Sequence, residues 1–281
     1  MNKFSNFWLK YSKNKAAVAG LIVFMLIVIC VIVFTLKLDY EADAITQDIM
    51  NRRLPPSAEH WFGTDVYGRD LFARVIFGAW FSFGISFISV IIAAILGSIL
   101  GITAGYFGGI IENVLMRCID VLLAIPSILL AIVIVAAFGS SVVHLTLALA
   151  ISMTPRFSRI SRSAVLPLRE LEYIQAAKAS GASSLQIILQ HILPNAFGPI
   201  LVQATLNVSS VILSVAGLSF IGLGIAAPAP EWGTLLFEGK AKMLTQPYLV
   251  IIPGICIILL SLSINLIGDG LRDVLDPRSK K

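Results

Sequence analysis

The sequence predicts an all-α, polytopic membrane protein with six transmembrane helices. Three observations carry this. Of 281 residues, 57% are hydrophobic and only 13% are charged, about half the ~25% charged share of a soluble domain. Mean hydropathy is +0.90. The charges are also bunched, leaving charge-free runs long enough to cross a hydrocarbon core of ~30 Å at ~1.5 Å per residue.

Residues 1–15 carry Lys3, Lys10, Lys13 and Lys15 and no acid, and residues 16–36 carry no charge. A basic start before an apolar run resembles a signal peptide. This run is too long for one and lacks a small-x-small cleavage site, so 16–37 is read as an uncleaved first span behind a cytoplasmic N-terminus. Residues 38–79 form the long hydrophilic loop: Asp39, Glu41, Asp43, Asp48, Glu59, Asp65 and Asp70 against Arg52, Arg53, Arg69 and Arg74. Without a basic excess it suits the extracytoplasmic side.

Residues 80–267 form a five-helix core. Span two, 80–104, ends at the turn-forming GYFGG. Span three, 116–137, contains Pro126, expected to kink it because proline frees a carbonyl that neighbouring helices must satisfy. FGSS turns the chain into span four, 141–158. Then come Arg156, Arg159, Arg162, Arg169 and Lys178, opposed by Glu170 and Glu172. Counting from the N-terminus and the positive-inside rule agree in placing this loop, 159–196, in the cytoplasm. Span five is 197–221. APAPEWG follows, its prolines and glycine read as irregular, with Trp232 as an interfacial anchor. Span six is 248–267, and 268–281 is a cytoplasmic tail.

The net charge of +5 sits beside apolar runs, so it reads as topology and not as a nucleic-acid surface. Cys30, Cys118 and Cys256 form no CxxC and read as small buried hydrophobes. His60, His144 and His191 are scattered, so no metal site is expected. The sequence lacks GxxxxGK[ST], GxSxG and HExxH, so neither nucleotide binding nor a catalytic residue is expected. Asp120 follows Arg117 by one helical turn. It reads as half of a structural pair, with a proton relay as the alternative.

The segment EYIQAAKASGASSLQIILQHILPN, 172–195, interrupts this apolar pattern. Acids at its start suit a helix dipole. Small residues run from Ala176 to Ser184 with one interruption, Lys178. Gly181 is placed to end one helix in a left-handed conformation, Ser183 or Ser184 to cap the next, and Pro194 to close it. Two readings fit: an amphipathic loop on the membrane surface, or two short helices offering close backbone approach to a partner.

The segment resembles the signature of binding-protein-dependent ABC importer permeases: Glu-Ala-Ala, three residues, Gly, nine residues, Ile, one residue, Leu-Pro. Ala176, Ala177, Gly181, Leu193 and Pro194 match at that spacing. Gln175 replaces the Glu, and His191 stands at the Ile position. FGTDVYGRDLFARVIFGAW, GLSFIGLGIAAPAPEWGTLL and NLIGDGLRDVLDP resemble the outer-loop and C-terminal motifs of the dipeptide, oligopeptide and nickel permeases, of which this is similar to the shorter-chain member of a pair. The resemblance implies a type I ABC importer permease fold. It implies ATPase coupling through Gln175, Ala176, Ala177, Gly181, Ala182, Ser183, Leu185 and Pro194. Asp65, Gly68, Arg69, Asp70, Glu231, Trp232 and Gly233 are candidates for binding-protein or gate contact, against a plainer reading as turns and helix caps.

The implied partners are a second related permease, two cytoplasmic ATPases, an extracytoplasmic substrate-binding protein and membrane lipids, with no nucleic acid. ATP and Mg would be used by the ATPases, and this chain would bind no cofactor. The implied place is the cell (plasma or inner) membrane, multi-pass, with both termini cytoplasmic. The implied substrates are di- or oligopeptides. A nickel or metal chelate is the alternative within that family, and an ion-coupled secondary transporter is the alternative from another class.

Overall fold

The computed structural model describes residues 3–275, which are helical apart from their connections and one isolated bridge between Thr64 and Asp70. A short basic helix, α1 (Lys3–Tyr11), precedes α2 (Lys15–Thr35). The Asn14 side chain starts α2 by accepting from the Ala17 N–H at 3.1 Å. Its amide donates to Asp273 at 2.8 Å, which fastens the N-terminal elbow to the last helix.

Helix α3 (Leu71–Phe107) has 37 residues, or ~55 Å at ~1.5 Å per residue. It begins well before residue 80, because Asp70 caps it by accepting from Ala73 N at 2.9 Å. Residues 71–79 form the first turns of this helix and, Phe72 apart, are buried, so the hydrophilic loop ends at Asp70. The expected single span three is two helices, α4 (Gly109–Leu123) and α5 (Ser127–Phe138), bent by 82°. Pro126 supplies no N–H and has extended geometry (ψ 128°), so the break replaces the expected kink.

Helix α6 (Val142–Arg169) is capped by Ser141, which accepts from His144 N at 3.1 Å. It runs through Pro155 and Pro167, past the expected end near 158. The 172–194 segment forms α7 (Glu172–Ala179) and α8 (Ser184–Ile187). A π-helical turn, Ile188–Ile192, joins α8 to α9 (Leu193–Phe220). Pro194 therefore does not close the segment. It stands at the start of α9, directly after the π-helical turn and inside one continuous helical run. Helix α10 (Trp232–Gly239) starts directly after the prolines that were read as irregular, and α11 (Tyr248–Leu275) ends the described chain. The last residues of the expected tail, 276–281, lie outside the described residues.

Helices α2, α3, the α8–α9 unit and α11 are each long and apolar enough to cross a membrane, and the bent α4–α5 pair makes a fifth candidate. Helix α6 carries no Asp, Glu, Lys or Arg from 142 to 155 and several arginines afterwards. Six spans are compatible with this set when α6 crosses with its first half.

The central contact is α3 against α6. Gly97, Gly101 and Gly105 recur every fourth residue and so line one face of α3. A Cβ at Gly97 would lie 2.4 Å from Phe157 Cβ, and one at Gly101 would lie 2.2 Å from the Ser158 carbonyl oxygen. In lipid, where apolar burial gives helices little reason to associate, such small-residue contacts supply the packing. Gly101→Val should therefore prevent α3 and α6 from docking. Immunoblots of membrane fractions should show severe depletion, whereas Gly84→Val, on the same helix with open space around it, should leave abundance near normal.

Candidate functional site

The 172–194 segment is built as an anchored element with an open face. Ile174, Ile187 and Ile192 are fully buried and pack with Ile102 and Tyr106 of α3 and Val165 of α6. Gln175, the residue that departs from the signature, donates from Nε2 to the Arg169 carbonyl at 2.9 Å and so ties α7 to the end of α6. Lys178 holds its ammonium 5.0 Å from the Tyr106 ring centroid. His191 packs its ring 5.9 Å from that of Tyr173.

Between the two helices the chain makes a Schellman turn. Gly181 N–H donates to Lys178 O at 3.0 Å and Ala182 N–H to Ala177 O at 3.1 Å, with Gly181 at φ +83°. Ser183 then caps α8, accepting from Gln186 N at 3.3 Å. Both features match the sequence reading. Ala177 and Ala182 are half-buried on the inner side; Ala176, Gly181, Ser183, Leu185 and Pro194 are exposed. Leu185 is 67% and Leu189 52% exposed. Gly181 has no neighbour within 4 Å of where a Cβ would stand. The structure thus gathers the eight expected residues on one short element, with small groups and leucines facing outward from a rigid base.

Ion pairs brace the same end. Arg162 Nε donates to Glu112 at 2.6 Å, and Arg169 Nη1 to the Gly105 carbonyl at 2.8 Å. Asp120 pairs with Arg159 at 2.6 Å and not with Arg117 as expected, because α6 presents its arginines to α4. Side-chain exposures of 58% and 53% make that pair worth about 0–1 kcal/mol.

The second expected group lies around the start of α3. Asp65, Arg69, Arg74 and Glu238 form a cluster in which both arginine side chains are at most 1% exposed. Arg69 Nε donates to Asp65 at 2.6 Å and Arg69 Nη2 to Glu238 at 2.8 Å. Arg74 Nη1 donates to Asp65 and, at 2.6 Å, to Glu238. Two cations thus balance two carboxylates, and the loop is clamped to α3 and α10. Gly68 completes the turn, its N–H donating to Asp65 O at 3.2 Å. Asp70 caps α3 and also takes His60 Nδ1 at 2.8 Å.

Glu231 is a buried N-cap for α10, accepting from Gly233 N at 2.8 Å, Thr234 N at 2.9 Å and Ser82 Oγ at 3.1 Å. Trp232 is 2% exposed and donates from Nε1 to Val75 O at 2.8 Å; it is a core residue and not an interfacial anchor. A side chain at Gly233 would strike Ala216, its Cβ lying 2.7 Å from Ala216 Cα. The seven residues thus serve as caps, turns and buried ion pairs and, at Trp232 and Gly233, as close packing in the core. Arg74 and Glu238, which complete the cluster, escaped the sequence reading; Glu238 lies 164 positions from Arg74, and no local pattern marks that pairing. The cysteines also differ from expectation: Cys30 and Cys118 are exposed on the isolated chain and Cys256 is half-buried.

Residues 97–281 match the family described as binding-protein-dependent transport system inner membrane component. Residues 3–56 match the N-terminal transmembrane domain of oligopeptide transport permease C. The chain is 47% identical over 268 residues to the dipeptide transport system permease protein DppC of Alkalihalophilus pseudofirmus, covering 95% of this chain and 88% of that one. It is 42% identical over 275 residues to the glutathione transport system permease protein GsiD of Escherichia coli, covering 98% and 90% respectively. Among solved structures it resembles an inward-facing MetNI methionine ABC transporter, with TM-score 0.57 and 20% identity over 73% of this chain and 96% of that one; that likeness concerns the fold.

Proposed function

We propose, for a chain that belongs to the family of binding-protein-dependent transport system inner membrane components, that it forms half of the pathway of an ABC importer for di- or oligopeptides. The observation that carries this is the anchored 172–194 segment with its outward small-residue face. That face is the docking surface for a cytoplasmic ATPase, and the buried isoleucine base transmits the ATPase's movement to α3 and α6. A second, related permease supplies the other half of the pathway, and an extracytoplasmic binding protein delivers the substrate. ATP and Mg belong to the ATPases, and this chain binds no cofactor. Relatives named for dipeptide and glutathione transport favour peptides over a nickel chelate. Of the carboxylates buried or nearly so among the described residues, Asp65 and Glu238 are paired with arginines and Glu231 is a helix cap, which disfavours a proton-coupled carrier.

In this reading both termini are cytoplasmic and the protein lies in the cell membrane. Cysteines placed at Met50 and Leu244, each 92% exposed, should react with an impermeant reagent from outside, and one at Leu185 only from inside. The reverse pattern would overturn the topology. For the activity, cells carrying the complete transporter should take up labelled dipeptide, and unlabelled peptides should compete where nickel chelates do not. Competition by nickel chelates alone would reassign the substrate.

A further inference from the structure

The α2 helix stands partly away from the core and leaves a groove. Between α2, α3 and α11 lies an apolar cavity of about 280 Å³, lined by Leu26, Cys30, Phe62, Val75, Trp232 and Leu259 among others. Leu26 and Cys30 lie inside the first span, so this cavity is at hydrocarbon depth. Phe72 also lines a second hollow of about 500 Å³, which reaches Lys37, Asp43, Glu59, His60 and Trp61 just beyond the end of α2. The Phe72 ring lies 4.9 Å from Phe34, 5.0 Å from Trp61 and 5.1 Å from Phe62. Such an aromatic collar marks a membrane–water boundary. The two hollows share Phe72 and flank the level where hydrocarbon gives way to water.

Charges in the upper hollow are unevenly committed. Asp70 is engaged by His60 and by the α3 cap. Asp43 accepts one bond, from Asp39 N at 2.8 Å. Lys37 and Glu59 are exposed and form no ion pair among the described residues. The hollow thus offers one cation and, with Asp43 and Glu59, two carboxylates with acceptor capacity to spare.

We propose that the two hollows together hold one phospholipid with a phosphoethanolamine-type head, in the leaflet bordering residues 37–70. An acyl chain fills the groove, Lys37 meets the phosphate, and Glu59 and Asp43 receive the primary ammonium. Charge complementarity selects this head group. An anionic head without an amine has no positive charge to offer the carboxylates, and a choline head has no N–H to donate. A protein helix could fill the groove but would leave the separated cation and carboxylates unanswered. The bound lipid would act as a spacer holding α2 against α3 and α11.

The test uses the complete transporter in nanodiscs of phosphatidylethanolamine, phosphatidylcholine or phosphatidylglycerol with identical acyl chains, followed by native mass spectrometry of retained lipid. Wild type should retain one phosphatidylethanolamine per copy of this chain in preference to the other two. Lys37→Ala should lower retention about five-fold, as expected for one basic side chain at a membrane surface. Glu59→Gln should bring phosphatidylethanolamine down toward phosphatidylcholine. Cys30→Trp should empty the groove, and the two surface variants keep the idea testable if that bulkier change misfolds. No retained lipid, equal retention of all three heads, or cross-linking of Cys30 to the second permease would each overturn the proposal.

Discussion

Gly181→Val is expected to remove most uptake while leaving the protein in the membrane at near-normal abundance. The site combines two demands. Its φ of +83° is a conformation a β-branched residue adopts at a cost of about 1–2 kcal/mol or more. Its surroundings are open in the isolated chain, so added bulk meets nothing until a partner arrives. Strain would loosen the Schellman turn and shift α8 against α7; bulk would hold the partner off. Either effect, at ~1.4 kcal/mol or more, costs about ten-fold in docking. Gly181→Asn separates them, because asparagine tolerates the left-handed region. If bulk is decisive, the Asn variant should also lose uptake and release the ATPases. The control is Gln190→Ala, whose side chain is exposed and makes one long contact, 3.5 Å to Gln186. Full uptake and full ATPase retention in Gly181→Val would remove the docking role.

The second large effect is expected at the opposite end. Arg74→Met should deplete the folded protein by leaving Asp65 and Glu238 sharing one cation, Arg69, in a buried site. Breaking a buried ion cluster by removing one partner typically costs about 3–5 kcal/mol, a large part of the stability of a small protein. Asp65→Asn combined with Arg74→Met restores the charge balance, pairing Arg69 with Glu238, and should recover part of the loss. The measurement is thermal stability in detergent, followed for both single variants and the double variant. Additive losses would show that the four groups do not act as one unit.

The sequence made the helical architecture legible wherever a signal was local. Charge-free runs located α2, α3, α9 and α11, and bunched arginines located the basic loop. The turn at Gly181 and the cap at Ser183 were readable because both depend on neighbours three to five residues away. Helix ends were less legible. Residues 71–79 look like loop until Asp70 is seen to cap them, and α6 runs on through Pro155 because its neighbours supply the packing. At Pro126 the local rule gave the site but not the angle, since a kink and an 82° break start from the same missing N–H. Contacts between distant positions were hidden altogether. Asp120 reaches Arg159 and Arg74 reaches Glu238 only after the helices pack, and Trp232 is drawn into the core by a hydrogen bond to Val75 O. Of the candidate site, the 172–194 element could be read almost whole, whereas the residues around the start of α3 and α10 were recognised as a group without their buried role.

The measurement that bears most directly on the coupling role is cross-linking in membranes. In a cysteine-free background, Leu185→Cys would be paired with cysteines placed across the ATPase surface, and Met50→Cys would serve as the distant control. Leu185→Cys is expected to cross-link to the ATPase in high yield, with the yield changing when ATP binds, while Met50→Cys gives no ATPase product. A transporter that retains full uptake while Leu185→Cys yields no ATPase product at any tested position would contradict the assignment of the 172–194 segment as the ATPase docking element.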